Sequence, residues 1–252
     1  MKPKLDQDII IQEAIKKLPY PTRRLFVKRA LTLGGLSLLT GCSVVDEDSA
    51  EIMLMKISRL NDDFQALLFD PNKLAPTYPE SMITKPFPFN AYYARDKIPK
   101  INGDEFLLEV GGLVTDKRRW SLSQLYQLPQ IDQVTRHICV EGWSAIGKWG
   151  GVSFAHFLKL IGADLTAKYV GFKCADDYYT SIDMPTALHS QTILTFSYNG
   201  NVLPPEYGYP MKLRIPTKLG YKNPKHIMAL FVTNNYPGGY WEDRGYNWFG
   251  GS

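Results

Sequence analysis

Cys139 lies within a short polar segment, Arg136–Ser144, with the sequence RHICVEGWS. A cysteine thiolate is both a nucleophile and a soft metal ligand, and neighbouring basic side chains favour the thiolate form. The β-prone stretch up to Cys139 predicts a strand, in which residues two apart point to the same side, so His137 should lie on the same side as Cys139. The segment therefore predicts a site in which Cys139 binds a metal or attacks a substrate.

This segment resembles the molybdenum-binding segment of the sulfite oxidase-like, molybdopterin-dependent oxidoreductases, in which one cysteine is the only protein atom bonded to the metal. The resemblance implies that Cys139 is the metal ligand and that each chain holds one molybdenum-molybdopterin cofactor. A thiolate suits this role, because the metal in these enzymes is otherwise bound by the dithiolene sulfurs of the pterin.

Two further residues are candidates for catalysis beside Cys139. The ring of His137 either faces the site or makes a hydrogen bond in the core. The segment Gly171–Thr180 corresponds to the family's strand and loop beside the metal, and there Asp176 or Asp177 either faces the substrate or caps a turn.

An upstream segment, Phe89–Arg95, resembles the family's Asn-x-aromatic-Tyr segment, in which the asparagine and the tyrosine contact the pterin. By this resemblance Asn90, Tyr92 and Tyr93 are cofactor contacts. An amide offers donors and acceptors to a polar heterocycle, and a phenol ring offers it a flat wall. Packing alone would explain the two tyrosines about equally well.

A downstream segment, Leu203–Arg214, aligns with the family's Leu-Pro and Gly-x-Pro-x-Arg element. Tyr207 stands where relatives often have asparagine or histidine, and Lys212 stands where they have arginine. Both are candidate cofactor contacts. The change to Lys212 keeps the positive charge but loses the bidentate guanidinium fork, so the contact to the pterin phosphate is expected to be looser.

A loop and a strand supply the remaining candidate contacts. Gly220–Lys225 resembles the family's Gly-aromatic-Lys-x-x-Lys loop, which implies that Asn223 and Lys225 help to hold the pterin phosphate. The alternative is that the lysines of this loop, Lys222 and Lys225, are ordinary solvated side chains. Cys174 comes 35 residues after Cys139, where relatives place a small residue that touches the cofactor.

Short strands and short helices follow one another without βαβ regularity, which indicates an α+β fold. Strands are predicted over residues 106–114, 135–140, 169–174 and 227–232, and short helices are predicted to begin at Ser121 and Ser153. The resemblance implies a sulfite oxidase-type molybdopterin-binding domain of mixed sheets and short helices over residues 89–252. The sequence contains no dinucleotide-binding fingerprint, P-loop or HExxH motif.

Residues 1–42 have the pattern of an export signal. Thr22–Lys28 (TRRLFVK) matches the twin-arginine pattern, and the apolar run at 30–40 is shorter than the roughly 20 residues that a membrane-spanning helix needs. Leu39–Cys42 (LTGC) resembles a lipobox, which predicts an acylated Cys42; ordinary signal cleavage without lipidation is the alternative. The chain is therefore expected in the periplasm, exported by the twin-arginine route.

The net charge of +4 belongs to this signal. Residues 1–42 carry eight Lys or Arg against three Asp or Glu, and the remaining residues carry 21 against 22. The body of the chain therefore gives no electrostatic reason to expect a nucleic-acid partner. Residues 43–88 are predicted to form a tether, a helix over 51–69 with helical apolar spacing, and an extended segment rich in proline.

Electrons are expected to be exchanged with another protein, because the sequence has no Cys-x-x-Cys-His haem motif. The resemblance implies a membrane cytochrome b or a soluble cytochrome c as the partner, with membrane contact possible through a lipid anchor. It also implies two-electron oxygen-atom transfer with a small-molecule or peptide-borne substrate. Exported relatives that reduce sulfoxides favour reduction over sulfite oxidation.

Three alternatives remain open at the level of sequence. Cys139 could be the nucleophile of another class of enzyme with His137 as its base, although no third orienting group is evident. The chain could be a lipoprotein that has lost its cofactor and binds a partner. Cys139 could also form a disulfide with Cys174, since an exported chain meets an oxidising compartment.

Overall fold

The structure is a computed structural model that describes residues 57–58, 60–62 and 64–251. The predicted export signal and the first part of the predicted tether lie outside the described residues. The helix predicted over 51–69 is helical at 57–58, 60–62 and 64–68. Within the described part of the chain, no helix is both long enough and apolar enough to cross a membrane.

The body consists of short strands joined by short helices and turns. The strands are β1 (Leu107–Gly112), β2 (Trp120–Ser121), β3 (Gln130–Ile138), β4 (Ser144–Ser153), β5 (Tyr169–Cys174), β6 (Tyr179–Asp183), β7 (Ile193–Tyr198), β8 (Asn201–Val202), β9 (Lys212–Arg214) and β10 (Ile227–Thr233). The helices are α1 (Leu122–Tyr126), α2 (Phe154–Leu160) and α3 (Met184–Leu188). Single 3-10 turns occur at Glu80–Met82, Arg95–Lys97, Pro205–Tyr207, Gly220–Lys222 and Glu242–Arg244.

The strands form two five-stranded sheets. The first has the order β2-β1-β10-β5-β6. In it, β1 and β10 are parallel and the other neighbours are antiparallel. The second has the order β3-β4-β7-β8, with β9 paired to β7, and all its pairs are antiparallel. This confirms the predicted α+β fold of mixed sheets with short helices.

Side-chain caps begin the short helices at the serines that the sequence indicated. Ser121 and Gln124 form a capping box at the start of α1, and the Ser153 hydroxyl accepts from the backbone N–H of His156 at the start of α2. Asp183 caps α3 in the same way through Thr186. These caps satisfy backbone donors that helices of five to seven residues would otherwise expose.

Two apolar clusters hold the sheets together. The larger one is built from β1, β5, β10, α2 and their neighbours, with Leu108, Phe157, Phe172 and Val232 almost completely buried. The smaller one surrounds Trp149 of β4. Burying large apolar side chains of this kind is the main term that stabilises a fold. The smaller cluster contributes Phe87 and Trp149 to the wall of the cavity described next.

Candidate active site

A cavity of about 280 Å³ opens where the end of β3, the loop after β5, the start of β9 and the segment 87–93 meet. Ten of the residues predicted from the sequence line it: Asn90, Tyr92, Tyr93, His137, Cys139, Asp176, Tyr207, Lys212, Asn223 and Lys225. Cavities with an apolar wall and a few convergent polar groups are the usual form of cofactor and substrate sites. The residues chosen from five separate segments of the sequence therefore line one cavity.

Cys139 directly follows β3, at the start of a tight turn. Its backbone N–H donates to the Trp143 carbonyl at 2.9 Å, and the turn passes through Gly142 at a φ of 91°, where a side chain would be strained. The Sγ atom donates to Glu141 Oε2 at 3.7 Å. Burial raises the pKa of the Cys139 thiol, and the Glu141 carboxylate raises it further. The raised pKa favours the protonated thiol, and binding of a metal cation would displace this proton.

The two cysteines of the described body are both free. The alternative of a Cys139–Cys174 disulfide is therefore wrong. Cys174 is not among the residues that line the cavity; it ends β5 and is buried in the larger apolar cluster. Burial raises the pKa of its thiol well above the ordinary value, which leaves it unreactive.

His137 is a buried part of the cavity wall and lies beside Asn90. Asn90 Nδ2 and His137 Nε2 form a hydrogen bond of 3.1 Å. Burial lowers the pKa of His137 well below its ordinary value, and the nearby charges of Arg214 and Lys212 lower it further, so the ring is neutral. Among the described contacts, Cys139 bonds to Glu141 and His137 bonds to Asn90, an arrangement that does not form the nucleophile–base pair of the alternative enzyme class.

Gly220 permits this arrangement. A Cβ atom at position 220 would lie 2.7 Å from His137 Nε2 and 3.0 Å from Asn90 Nδ2, closer than side chains normally approach. The backbone of the 220–222 turn therefore packs directly on the Asn90–His137 pair. This contact brings the predicted Gly-aromatic-Lys-x-x-Lys loop against the strand that carries Cys139.

Two lysines, the buried Lys212 and the partly buried Lys225, line the cavity. Lys212 is only 4% exposed, and its Nζ atom lies 4.5 Å from the centre of the Trp149 ring. Burial lowers the pKa of Lys212 well below its ordinary value, and Lys225 adds to this shift. Burial likewise lowers the pKa of Lys225 to about 8, and its Nζ atom donates to the Glu206 carbonyl at 3.2 Å.

No carboxylate compensates these lysines directly. Within the described residues, neither the Lys212 nor the Lys225 ammonium has a carboxylate oxygen within 4.0 Å. Burying an ammonium without a counter-charge is costly, so such groups usually face an anion. The residues therefore fit an anionic group, as expected of a pterin with a phosphate and a dithiolene.

Asn223 acts mainly as a structural link. Its side-chain oxygen accepts from the Ile215 backbone N–H at 2.7 Å and from Arg214 Nη1 at 3.0 Å. The Arg214 guanidinium also donates to the Arg136 carbonyl at 2.6 Å. Arg214 is completely buried, so this network ties β9 and the 220–225 loop to the end of β3. The sequence offered no signal that Arg214 would occupy this central position.

Asp176 lines the cavity and also caps a turn. Its Oδ2 atom accepts from the Tyr93 hydroxyl at 3.1 Å, and Oδ1 accepts from the Tyr178 backbone N–H at 3.3 Å. The Tyr92 hydroxyl donates to the Asp176 carbonyl. Burial raises the pKa of Asp176 and raises that of Tyr92 to about 12. Asp177 adopts a φ of 61° and does not line the cavity.

Tyr207 completes the wall above the smaller apolar cluster. Its hydroxyl donates to the Phe87 carbonyl at 3.0 Å, and its ring packs edge-on against Phe87 and Tyr198. The ring of Tyr207 is thus held by a hydrogen bond at its hydroxyl and by aromatic contacts on its sides. It closes the cavity beside Trp149, which lines the wall but was not predicted.

The C-terminal segment 237–251 places two aromatic residues, Trp241 and Tyr246, on the cavity wall. The segment is anchored by Glu242, which accepts from the buried Lys222 ammonium and from the Thr180 hydroxyl. The ring of Tyr240 stacks on Tyr92 with centroids 4.6 Å apart.

Sequence reasoning missed several lining residues: Glu141, Trp149, Tyr178, Glu206 and Tyr221. Glu141 stands two residues after Cys139, so the polar character of the segment was a usable signal. The others are aromatic or acidic residues whose spacing is equally compatible with core packing or solvent exposure.

Comparisons with known proteins give one family match and several relatives. Residues 95–241 match the family described as the oxidoreductase molybdopterin binding domain. A relative from Azospira oryzae, named "Putative protein-methionine-sulfoxide reductase subunit YedZ1", is 66% identical over 249 residues, which are 97% of this chain and 95% of the relative.

More distant relatives bear the name protein-methionine-sulfoxide reductase catalytic subunit MsrP. The protein from Xanthomonas axonopodis pv. citri is 31% identical over 54% of this chain and 47% of its own length, and that from Ralstonia nicotianae is 28% identical over 57% and 48%. The match thus spans about half the length of these MsrP proteins. The crystal structure of the sulfane dehydrogenase SoxCD from Paracoccus pantotrophus shares the fold, with a TM-score of 0.52 and 19% identity over 55% of this chain and 40% of that one.

Proposed function

The chain belongs to the oxidoreductase molybdopterin-binding domain family and is a molybdopterin-dependent oxidoreductase, and we propose that it reduces sulfoxides, with protein-bound methionine sulfoxide as substrate. The observation that carries this proposal is the cavity lined by Cys139, the buried Lys212 and the partly buried Lys225, in which neither lysine has a carboxylate oxygen within 4.0 Å among the described residues. The names of the relatives support reduction rather than sulfite oxidation.

The residues that would hold the cofactor are distributed around this cavity. Cys139 would give up its proton and bind the metal, while Lys212 and Lys225 would face the anionic groups of the pterin. Asn90, Tyr92 and Tyr93 would contact the ring system. When bound, the molybdenum cofactor supplies a two-electron centre that exchanges an oxygen atom with the substrate.

Residues of the chain would supply protons to the reaction. Reduction of a sulfoxide takes up two electrons and two protons and releases a sulfide and water. Asp176 lines the cavity, and burial raises its pKa, so we assign it as the group that holds a proton at Oδ1 or Oδ2 for the departing oxygen. The Tyr93 hydroxyl, which donates to Asp176 Oδ2, would fix the orientation of this carboxyl group.

The entrance fits a methionine side chain. Tyr92, Trp241 and Tyr246 line the cavity and are all partly exposed, which provides aromatic surface to a sulfur-containing side chain. Contacts between sulfur and aromatic rings are favourable by about 0.3–1.5 kcal/mol. A residue of a protein substrate could therefore enter between these rings while its backbone stays outside.

The cellular setting of this activity is also part of the proposal. The twin-arginine pattern over Thr22–Lys28 supports export of the folded protein to the periplasm, and the lipobox-like sequence at Leu39–Cys42 supports an anchor at Cys42. We propose the domain boundaries 1–42, 43–88 and 89–252, of which the first rests on these patterns and the last on the resemblance of the segments that begin at Phe89. Electrons would come from a membrane cytochrome.

Metal analysis combined with two activity assays tests the proposal. The full chain is produced in cells fed with molybdate, and molybdenum and pterin are measured for the unaltered chain and for Cys139→Ser. We expect about one molybdenum per chain and reduction of methionine sulfoxide with reduced viologen as electron donor, both lost in Cys139→Ser. Metal retained by Cys139→Ser would refute the ligand assignment. Sulfite oxidation without sulfoxide reduction would refute the substrate assignment.

A further inference from the structure

The helical segment at 57–68 turns its apolar side chains away from the body. Ile57, Leu60, Phe64, Leu67 and Leu68 are 52% to 80% exposed. Their spacing of three and four residues places them on one side of a helix. A helix at the surface of a globular protein normally buries such a side, so this orientation is the reverse of the usual one.

The opposite side of the same helix is held against the body. Asp62 is buried, and its Oδ1 atom accepts from Asn247 Nδ2 at 2.6 Å and from the Phe249 backbone N–H at 2.9 Å. Phe69, at the end of the helix, packs edge-on against the Phe249 ring with centroids 5.6 Å apart. These contacts fix the rotation of the helix about its axis, so the outward direction of the apolar residues is built into the fold.

We propose that this outward surface, formed by Ile57, Leu60, Phe64, Leu67 and Leu68, is the docking site for a membrane-embedded electron-donor protein that presents an apolar groove to the helix. The inference rests on the proposed function, which requires a donor. Helices that dock in a groove do so through anchors with the i, i+3, i+4 and i+7 spacing found here.

The proposed reduction consumes two electrons, and we assign their supply to another protein that docks on this one. The described residues contain no cluster of His, Cys, Asp and Glu side chains that could hold a second metal centre. The sequence contains three cysteines and no Cys-x-x-Cys-His motif.

The position of the helix suits electron entry. Asp62 bonds to Asn247, the Asn247 carbonyl accepts from the Tyr221 hydroxyl at 2.6 Å, and Tyr221 lines the cavity. The helix is thus connected to the wall of the cofactor cavity through two residues. A donor seated on its outer side would lie close to that wall.

The charge of the segment argues against a lipid surface as the occupant. Helices that lie on membranes usually carry lysine and arginine on the polar side, which attract anionic lipids. Residues 51–70 contain four acidic and two basic residues. This balance favours an apolar protein groove with basic flanks over a lipid headgroup layer.

The double variant Leu60→Glu/Leu67→Glu tests the proposal in the cofactor-loaded full chain. Both leucines are exposed, so the fold should tolerate the change. A matched control is Val202→Glu/Leu160→Glu, which places the same charges on apolar residues that are 64% and 42% exposed elsewhere. Two rates are measured: methionine sulfoxide reduction with reduced viologen, and reoxidation of haem b in membranes that contain the donor after methionine sulfoxide is added.

We expect the helix variant to keep the viologen-driven rate and to slow the reoxidation of haem b about tenfold or more, with the control unchanged. An unchanged rate of haem reoxidation would overturn the proposal. Absence of viologen-driven activity in the unaltered chain would instead reject the proposed function.

A crosslinking experiment identifies the occupant without relying on the substrate. The photoactivatable analogue p-benzoylphenylalanine replaces Phe64 in cells that contain the native membranes. Crosslinking to a membrane haem protein supports the proposal. Crosslinking to lipid, or to a second copy of this chain, would overturn it, as would binding of the unaltered chain to protein-free vesicles of phosphatidylethanolamine and phosphatidylglycerol that is lost in the helix variant.

Discussion

Asn90 Nδ2 lies 3.1 Å from His137 Nε2, and this hydrogen bond joins the segment before the body's first strand to the strand that presents Cys139. The two residues are 47 positions apart in the chain. The backbone of Gly220 packs against one side of this pair. Three of the segments recognised in the sequence, those that contain Asn90, His137 and Gly220, therefore meet at the cavity wall. The position of Cys139 depends on their contact.

A methyl group at position 220 should disturb this point. In Gly220→Ala the new Cβ would meet His137 Nε2 at 2.7 Å, so the pair must separate. We expect a loss of about 1–3 kcal/mol in the free energy of unfolding and reduced molybdenum content. Urea unfolding and metal analysis measure these effects. Gly111→Ala is the control, because its Cβ would meet only Phe231 at 4.0 Å; an equal loss in both variants would contradict the explanation.

The Glu141 carboxylate should control the reactivity of the Cys139 thiol in the cofactor-free protein. Burial and this carboxylate both raise the pKa of Cys139. Glu141→Gln removes the negative charge while keeping an acceptor for the Trp143 indole, which donates to Glu141 Oε2 at 2.9 Å. The pKa should fall, and alkylation of Cys139 by iodoacetamide near pH 8 should become faster.

Peptide mass spectrometry measures the alkylation of each cysteine separately. Cys174 is the internal control, since burial raises its pKa well above the ordinary value and it should stay unmodified in the folded protein. Bound cofactor should protect Cys139 in both variants. Equal alkylation rates with and without the Glu141 charge would show that burial alone sets the pKa.

Lys225 should make the stability of the cofactor-free protein depend on pH. Burial lowers its pKa to about 8, from an ordinary value of 10.5. Between these two values the unfolded chain binds a proton that the folded chain does not bind, so the contribution of Lys225 to the free energy of unfolding increases as the pH rises. Lys225 therefore contributes least to the free energy of unfolding below pH 8, where it is charged in both the folded and the unfolded state.

The variant Lys225→Met isolates this contribution. Urea unfolding of the cofactor-free protein between pH 7.5 and about 9.5 should show a smaller increase with pH, or a larger decrease, in Lys225→Met than in the unaltered chain. The exposed Lys173 of β5 provides the control variant Lys173→Met. Identical pH profiles for Lys225→Met and the unaltered chain would mean that Lys225 is not effectively buried.

How well each part of the site can be predicted depends on how far apart in the chain its interacting residues are. The caps at Ser121 and Ser153 and the strand before Cys139 depend on neighbours in the chain, so local patterns indicate them well. Asn90 and His137 were both predicted near the site, but their hydrogen bond was not predicted, since no local pattern encodes a contact over 47 positions. Ten of the eleven predicted site residues nevertheless line one cavity.

Other features could not be predicted because they depend on the complete fold. Arg214 is a charged residue with no sequence sign of burial, and only its contacts with Asn223 and the Arg136 carbonyl explain it. The apolar spacing around Phe64 predicted a helix, but the direction of its apolar side depends on the Asp62 contacts with the C-terminal segment. Cys174 was predicted at the cavity by position, whereas packing places it in the larger cluster.

The buried ion pair between Lys222 and Glu242 should control the C-terminal wall of the cavity. Both side chains are only 1% exposed, and Glu242 Oε1 also accepts from the Thr180 hydroxyl at 2.8 Å. Glu242→Gln leaves the Lys222 ammonium buried without a counter-charge, which should cost about 3–5 kcal/mol in the free energy of unfolding. Because Glu242 follows Trp241 directly, loss of the anchor should also raise the KM for a methionine sulfoxide peptide.

A second variant separates the lost charge balance from the lost anchor. In Lys222→Met/Glu242→Gln no charge remains buried, so most of the stability should return, since replacing both partners of a buried pair is often neutral. Urea unfolding gives the stabilities, and viologen-driven kinetics give KM and kcat. If the double variant is as unstable as Glu242→Gln, the destabilisation comes from the lost Thr180 contact and not from the unpaired ammonium. In that case Thr180→Val alone should reproduce it.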